Sequence, residues 1–411
     1  MGRMMAVLRR ITRRVWFRAA LMTLGGILLA LLAGLLGAWI PTSMSIDLGQ
    51  GSVSTLLQII ASSMLAVSTF SLTIMVTAYS SAATSGTPRA TQLLIEDRTS
   101  QNVLSLFIGS FTFALVGIVA LSTGYYDEKG RTVLFLGTLV VIALIVIALL
   151  RWINHLAHFG RVADTIDRVE RAALEVVCEY AKRPTMGGLP LRGLPRRPLR
   201  AVHGTRVGYV THLDMAGLQS AAESAETDIY VVATPGRQAD VVVPLAYVPA
   251  ESAEDIDESV RQAFLVDDHR TFESDPRLGV IALSEIGIRA LSPAMNDPGT
   301  AIEVIAALER VFAAMADVEP RPEPDYDRVH VREVQLSDLV TDAFRPLARD
   351  GAGFIEVHLR VQRTLSALAA LGGPEWARPF REAAADAARR AAAGLDRTDR
   401  RVLRRARRDY W

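Results

Sequence analysis

Four long apolar runs, all in the first part of the chain, constrain the fold more than any other feature of this 411-residue sequence. The runs cover residues 19–40, 56–79, 103–124 and 132–150. Each approaches or exceeds the roughly 20 residues that a helix needs to cross a hydrocarbon core about 30 Å thick. No comparable run follows Arg151. The pattern predicts four transmembrane helices followed by a large region outside the membrane.

Charge predicts the orientation of these helices. The N-terminal stretch carries six arginines and no acidic residue: Arg3, Arg9, Arg10, Arg13, Arg14 and Arg18. Basic flanks stay on the cytoplasmic side, and four crossings bring the chain back to that side. We therefore expect a multi-pass protein of the bacterial cytoplasmic (inner) membrane with both termini in the cytoplasm.

The second apolar run contains a stripe of small and hydroxyl-bearing residues. At 100° per residue they fall within about 80° of one another on a helix. They are Ser62, Ala66, Thr69, Thr73, Thr77, Ser80 and Thr84. Such a stripe gains little by facing acyl chains, so it is expected to face either other helices or a hydrated pathway. The sequence leaves both interpretations open, and we take Ser62, Thr69, Thr73, Thr77, Ser80 and Thr84 as candidates for either role.

Small residues at four-residue spacing mark one face of the first apolar run: Gly26, Ala30, Gly34 and Ala38. This pattern lets two helix backbones approach closely in lipid. It predicts a packing face toward another helix.

Composition and turn signals divide the chain into six parts. We expect a basic N-terminus (1–18), a four-helix transmembrane domain (19–153), an amphipathic connecting helix (154–183), a Pro, Gly and Arg-rich linker (184–201), a small β-rich subdomain (202–250) and a helical domain with an Arg-rich end (251–411). The expected fold class is a mainly α integral membrane protein with an α+β cytoplasmic region.

The densest polar motif of the cytoplasmic region surrounds "SPAMNDP". Asp297 and Pro298 suit the N-cap and first position of a helix, so a corner between two helices explains most of these residues. Other polar residues close in sequence are sufficient for a small ligand site. Its candidate residues are Arg270, Asp275, Glu285, Arg289, Asn296 and Asp297.

Several function classes lack support in the sequence. With 45 basic and 44 acidic residues, the net charge of +1 gives no reason to expect nucleic-acid binding. No phosphate loop, nucleophile elbow or metal-ligand spacing is present, so we expect no enzyme activity, no metal and no cofactor. The last turns carry many arginines with little acid, which is typical of a solvated helix face. The alternative is contact with an anionic partner, for which a chain tethered to a membrane favours anionic lipid over nucleic acid.

Three stretches together resemble a known family. They are "TPRATQLLIEDRTSQNVLSLFIGSF", "DDHRTFESDP" and "IRALSPAMNDPGTA". They are similar to a bacterial family of predicted membrane proteins, domain of unknown function 2254. The resemblance implies the architecture and no particular activity. In the first stretch it singles out Arg89, Asp97 and Gln101, which we expect to couple the cytoplasmic region to the membrane helices.

Two functions are compatible with these features. The first is a channel-like or pore-forming homo-oligomer, with the Ser/Thr-rich second helix lining the pathway and the cytoplasmic region gating or assembling it. The second is a membrane-anchored scaffold or sensor whose cytoplasmic region binds a ligand or a protein.

Overall fold

The computed structural model describes residues 15–36, 50–85, 87–95, 97–157, 159–321 and 323–411. Their contacts form two compact units. Among the described residues, the N-terminal unit lies within 7–84 and 91–161, and the C-terminal unit lies within 85–90 and 162–411. The basic stretch 1–14 and residues 37–49 lie outside the described residues.

The described part of the chain begins with the helices α1 (Val15–Leu36), α2 (Gln50–Ser85), α3 (Pro88–Ile95), α4 (Arg98–Ser122) and α5 (Glu128–Leu156). Four of these are long and apolar enough to cross a membrane, over Trp16–Leu36, Ser52–Ser81, Arg98–Ser122 and Glu128–Leu156. The third crossing begins before the apolar run because Asp97 caps α4, accepting a hydrogen bond from the backbone of Ser100.

The expected small-residue face of α1 packs against α4. A Cβ atom added to Gly26 would lie 2.5 Å from the carbonyl oxygen of Gly109, so the two backbones touch at this crossing. Ala30 on the same face is fully buried, and its carbonyl accepts a 2.6 Å hydrogen bond from the Tyr126 hydroxyl. Ala38 lies outside the described residues. Close backbone approach therefore joins α1 to the bundle.

The C-terminal unit begins with α6 (Val162–Lys182), which packs against two later helices of the same unit. The remaining helices are α7 (Met215–Ser224), α8 (Ile256–Ala263), α9 (Pro276–Ala290), α10 (Pro298–Ala316), α11 (Leu336–Asp350), α12 (Ile355–Ala369), α13 (Pro374–Gly394) and α14 (Arg397–Tyr410). The strands are β1 (Leu189–Pro190), β2 (Leu199–His203), β3 (Gly208–Leu213), β4 (Ile229–Val231), β5 (Gln238–Ala239), β6 (Pro244–Pro249), β7 (Phe264–Asp267) and β8 (Val329–Val331).

The strands form two small sheets. The larger has the order β1-β8-β4-β6-β2, and the smaller has the order β5-β3-β7. Strand β4 pairs in parallel with β8, with Ile229 opposite Val329 and Val231 opposite Val331. All four of these residues are fully buried, so this pairing is part of the core.

The sheets extend beyond the region expected to be β-rich. The stretch 184–201, expected to be a linker, contributes β1 and the start of β2. Strands β7 and β8 come from the region expected to be helical. Two- to four-residue strands of this kind are held by pairing partners distant in sequence, and local composition carries no signal of them.

The helical part of the C-terminal unit has an aromatic centre. Phe312 of α10 stacks on Phe344 of α11 at 5.9 Å between ring centroids, and Phe380 of α13 meets Phe312 edge-on at 5.6 Å. All three rings are nearly or fully buried. Such ring contacts add to the burial energy that holds three helices together.

Candidate functional site

The hydroxyl stripe of α2 lies on the outer surface of the N-terminal unit. Its side chains that the structure describes are all exposed: Ser62, Thr69, Thr73, Thr77 and Ser80. Thr84 is within α2, but its side chain lies outside the described set. The buried face of α2, with Leu57, Met64, Ser71 and Met75, is roughly opposite the stripe. In the part of the chain that the structure describes, the stripe is therefore not an interface between helices of one molecule.

Hydrogen bonds along the stripe run back to the helix that carries it. Thr69 Oγ1 donates to the carbonyl of Ala66 at 2.9 Å, and Thr73 Oγ1 donates to that of Thr69 at 3.0 Å. Thr77 and Ser62 make the equivalent bonds at 3.0 and 2.9 Å. Because each proton is directed to a backbone carbonyl, the lone pairs of each oxygen remain on the outer surface. The stripe thus presents hydrogen-bond acceptors.

Large apolar side chains flank the stripe on both sides. Leu65 and Val76 lie on one side with 52% and 57% of their surface exposed, and Ile59 and Phe70 lie on the other with 55% and 65% exposed. The stripe from Ser62 to Ser80 is about 27 Å long at 1.5 Å per residue. This length nearly equals the thickness of the hydrocarbon core.

The residues carried over from the family motif between the second and third crossings have structural partners. Asp97 Oδ2 accepts from the backbone and the hydroxyl of Ser100, both at 2.7 Å, and lies 3.2 Å from Nε2 of His155. The Gln101 amide donates to the carbonyl of Ile95 at 3.0 Å. These contacts fix the start of α4 beside the end of α5. No sequence pattern indicated His155, which lies 58 residues after Asp97 in the chain.

The third of these residues, Arg89, forms an ion pair with Glu285 of α9. Both belong to the C-terminal unit by their contacts. The role of Arg89, Asp97 and Gln101 in coupling stays a prediction.

The six candidate residues of the cytoplasmic motif do not form one site. Arg270 and Asp275 lie at the start of α9, whereas Asn296 and Asp297 follow its end. The 15 residues of α9 separate the two groups by about 22 Å. The two groups are close in sequence, but the helix between them holds them apart.

Each end of α9 has its own structural role. Asp275 caps α9, and Asp297 caps α10 by accepting from the backbone of Thr300 at 3.1 Å. A hydrogen bond from the Thr300 hydroxyl lowers the pKa of Asp297. Asn296 adopts a left-handed backbone with φ of 50°, which Asn tolerates better than most residues. The helix corner predicted from "SPAMNDP" is confirmed. Within the described ranges, no three His, Cys, Asp or Glu side chains converge as metal ligands would.

Three arginines that the sequence analysis missed lie near the start of α9. Arg237, Arg277 and Arg332 line one cavity together with Arg270. They come from stretches nearly 100 residues apart, and no local pattern connects them. The one local signal was the Pro235-Gly236 turn, in which Gly236, the residue before Arg237, lies against Asp275.

The Arg-rich end of the chain forms helix α14, which is docked on α12. The Ser366 hydroxyl donates to the carbonyl of Tyr410 at 2.6 Å, and the Trp411 indole donates to Gln362 at 3.2 Å. Leu403 is buried. The exposed arginines include Arg397, Arg401, Arg404, Arg405 and Arg408. They form a basic face on a fixed helix.

Comparison with known proteins gives a family and relatives. A family model described as "Predicted membrane protein (DUF2254)" matches residues 12–367. Uncharacterized proteins of Mycobacterium tuberculosis and Mycobacterium bovis are each 24% identical over 242 residues, covering 56% of this chain and 46% of theirs. The match thus spans about half the length of these relatives. No solved structure matches the chain.

Proposed function

The chain belongs to the DUF2254 family of predicted membrane proteins, and from this premise we propose that several copies assemble into a channel-like protein in which the α2 stripes surround a hydrated pathway. The observation that carries the proposal is the position of the stripe. Its hydroxyls lie on the outside of the N-terminal unit, opposite the buried face of α2, over a length comparable to the hydrocarbon core.

The chemistry of the stripe supports a path for water and small cations. Its hydroxyl protons are bonded to backbone carbonyls, so the exposed oxygens act as acceptors. Acceptor oxygens replace part of the hydration shell of a cation. The described part of α2 has no Asp, Glu, Lys or Arg on the stripe, so no ionised group would hold a permeating ion tightly.

The same geometry supports the proposed assembly. A stripe on the outside of one four-helix unit encloses nothing, so the pathway must lie between copies. The exposed apolar side chains beside it, Leu65, Val76 and Phe70, would supply contacts between neighbouring copies. A cyclic homo-oligomer places identical stripes around one axis.

The other parts of the proposal concern orientation and control. We place the protein in the bacterial cytoplasmic membrane with both termini in the cytoplasm, because the basic flanks favour that side. The C-terminal unit would gate or assemble the pathway, with the exposed arginines of α14 contacting anionic lipid. The ion pair of Arg89 with Glu285 attaches the start of α3 to the C-terminal unit, which supports a role for α3 in this control.

Coupling has its own test. Asp97→Lys should alter assembly or conductance, because it removes the acceptor for Ser100 and the neighbour of His155. If this variant assembled and conducted as the unchanged protein does, the coupling role of this turn would be excluded.

Reconstitution of the full-length protein in a planar bilayer tests the main proposal, with the oligomer mass measured in parallel. Combined replacement of Thr69, Thr73 and Thr77 by Val keeps the shape of each side chain and removes its oxygen. We expect conductance to fall about tenfold or more while the oligomer mass is unchanged. Thr112→Val is the matched control, because the Thr112 hydroxyl makes the same type of back bond at 3.0 Å on α4 and lies off the stripe.

Two outcomes would contradict the proposal. A monomer without conductance would exclude a pathway between copies. If the triple variant did not form the oligomer and the unchanged protein did not conduct, the stripe would instead be a dry interface between copies. The alternative, a membrane-anchored scaffold or sensor, would then be favoured, and the arginine-lined cavity of the C-terminal unit is the observation that supports it.

A further inference from the structure

Four arginines surround a small cavity in the C-terminal unit, and none of them belongs to the residues assigned to the pathway. The cavity has a volume of about 100 Å³ and lies at the start of α9. Its basic lining consists of Arg237, Arg270, Arg277 and Arg332. Glu333 and Asp338 are its acidic lining residues. The lining therefore has more positive than negative groups.

Asp275 fixes the inner wall of the cavity. Its side chain is almost completely buried, accepts from Arg270 Nε at 2.6 Å, and accepts from the backbone of Arg277 at 3.0 Å. Gly236 lies directly on this carboxylate, with φ of 89°, and a Cβ atom there would collide with it. The turn that carries Arg237 is thus seated on the same carboxylate that orients Arg270.

Two acidic residues of α11 fix the position of Arg277. Its Nε and Nη2 donate to Asp342 at 2.7 and 3.0 Å, and Asp338 lies 3.7 Å away. The hydrogen bond to Asp342 raises the pKa of Arg277, so the guanidinium stays charged. Fixed side chains of this kind lose little conformational freedom when they bind a ligand.

Arg237 and Arg332 differ from this inner pair. Both are exposed, and neither forms an ion pair within the ranges that the structure describes. Each therefore has guanidinium donors available to a molecule in the cavity. The inner pair, Arg270 and Arg277, is already balanced by carboxylates. Of the two acidic lining residues, Asp338 lies near Arg277, which leaves Glu333 to balance the outer pair.

The shape and the charge of the cavity together define the ligand. Guanidinium groups match the oxygens of phosphate with paired hydrogen bonds, and several of them repel one another unless an anion lies between them. Ligand pockets for whole drug-sized molecules measure roughly 300 to 1,000 Å³. This cavity encloses much less, so any larger molecule would place only its anionic group inside.

We propose that this cavity binds a phosphate group, with Arg237 and Arg332 closing on it against the fixed guanidiniums of Arg270 and Arg277. The phosphate would belong either to a soluble metabolite or to a lipid headgroup. Both sources would present the same phosphate group to the cavity, and they differ in the part of the molecule that lies outside it.

The test uses the full-length protein in an uncharged detergent at fixed ionic strength, with isothermal titration calorimetry against inorganic phosphate and against glycerol 3-phosphate. We expect saturable binding of at least one of the two. The double variant Arg237→Gln with Arg332→Gln should bind about tenfold more weakly or worse. Both arginines are exposed, so the variant should fold, which its melting temperature checks. Arg378→Gln with Arg381→Gln, two exposed arginines of α13 that do not line the cavity, is the control pair and should bind as the unchanged protein does.

Nanodiscs distinguish the two sources of phosphate. If a headgroup is the ligand, nanodiscs with phosphatidylglycerol should stabilise the protein more than nanodiscs of phosphatidylcholine alone, and the Arg237 and Arg332 variant should lose that difference while the control pair retains it. If a soluble phosphate is the ligand, calorimetry should show binding and the two kinds of nanodisc should give equal stability. Absence of both effects, or equal loss in the control pair, would overturn the proposal.

Discussion

Polar side chains in the two units of this protein find their partners in different ways. On α2 of the N-terminal unit, the hydroxyls of Thr73 and Thr77 donate to carbonyls four residues earlier. In the C-terminal unit, Arg310 bonds to Glu170, which is 140 residues away, and Arg277 bonds to Asp342, 65 residues away. Lipid offers no hydrogen-bond partners, so a polar side chain on a membrane helix is satisfied most simply by its own backbone.

The two units are therefore stabilised in different ways. Hydroxyls that are satisfied within one turn add little to tertiary structure, so α2 depends on close packing. Long-range polar contacts of the N-terminal unit, such as Tyr126 with Ala30 and Asp97 with His155, lie off the stripe. The C-terminal unit depends on such contacts along several of its helices. Variants of the two kinds of group should therefore have effects of different size on stability.

The largest effect is expected where the N-terminal unit is packed most closely. Gly26→Val should destabilise the protein by about 3 kcal/mol or more, because its side chain would meet the backbone of Gly109, which cannot move aside without displacing α4. Thermal unfolding of the full-length protein in detergent measures this. Gly25→Val is the matched control, since nothing lies within 4 Å of a Cβ atom at Gly25. Equal effects of the two variants would show that α1 does not pack through Gly26.

His358 is an exception in the C-terminal unit, because this buried polar side chain has no long-range partner among the described residues. It is fully buried on α12, neither ring nitrogen has a hydrogen-bond partner among the described residues, and burial lowers its pKa to about 4. Between pH 6.5 and 4 the unfolded chain binds the proton and the folded protein does not. Stability should therefore fall as the pH falls through this range, by about 3 kcal/mol in total.

A variant without the imidazole isolates this contribution. His358→Leu should remove it, so the difference in unfolding free energy between the two proteins should change across this pH range and stay constant above pH 7. Parallel pH profiles for the two proteins would contradict the prediction.

An intermediate effect is expected for the ion pair between α6 and α10. Arg310→Gln leaves the buried Glu170 carboxylate without its two 2.5 Å bonds, and should cost about 2 kcal/mol, less than for a fully buried pair because Arg310 is half exposed. The control is Arg378→Gln, whose partner Glu382 is exposed, and it should cost less than about 0.5 kcal/mol. Chemical denaturation of both variants gives the comparison directly.

The smallest effect on stability is expected on the stripe. Thr73→Val removes a hydroxyl that is bonded only to its own helix, so the unfolding free energy should change by less than about 0.5 kcal/mol. A loss of more than about 1 kcal/mol would show that the hydroxyl has a partner in another copy.

The same difference between the units explains which parts of the structure the sequence could predict. The membrane helices, the stripe and the Asp297 cap depend on spacing within a few turns, and periodicity is sufficient to find them. Strands β1 and β8 and the cavity of Arg237, Arg270, Arg277 and Arg332 depend on residues that are far apart in the chain. The sequence predicted one site with both Arg270 and Asn296, but these residues lie at opposite ends of α9.

The accessibility of the stripe to water shows whether α2 lines a hydrated pathway. Single cysteines replace Thr69, Thr73 and Thr77 on the stripe, and Leu65 and Phe70 beside it, in a Cys178→Ser background that removes the one natural thiol. A charged thiol reagent that does not cross membranes needs water to reach a thiolate. In the reconstituted protein the three stripe positions should react at least about tenfold faster than the two flanking positions. Equal, slow reaction at all five positions would contradict a hydrated pathway along α2.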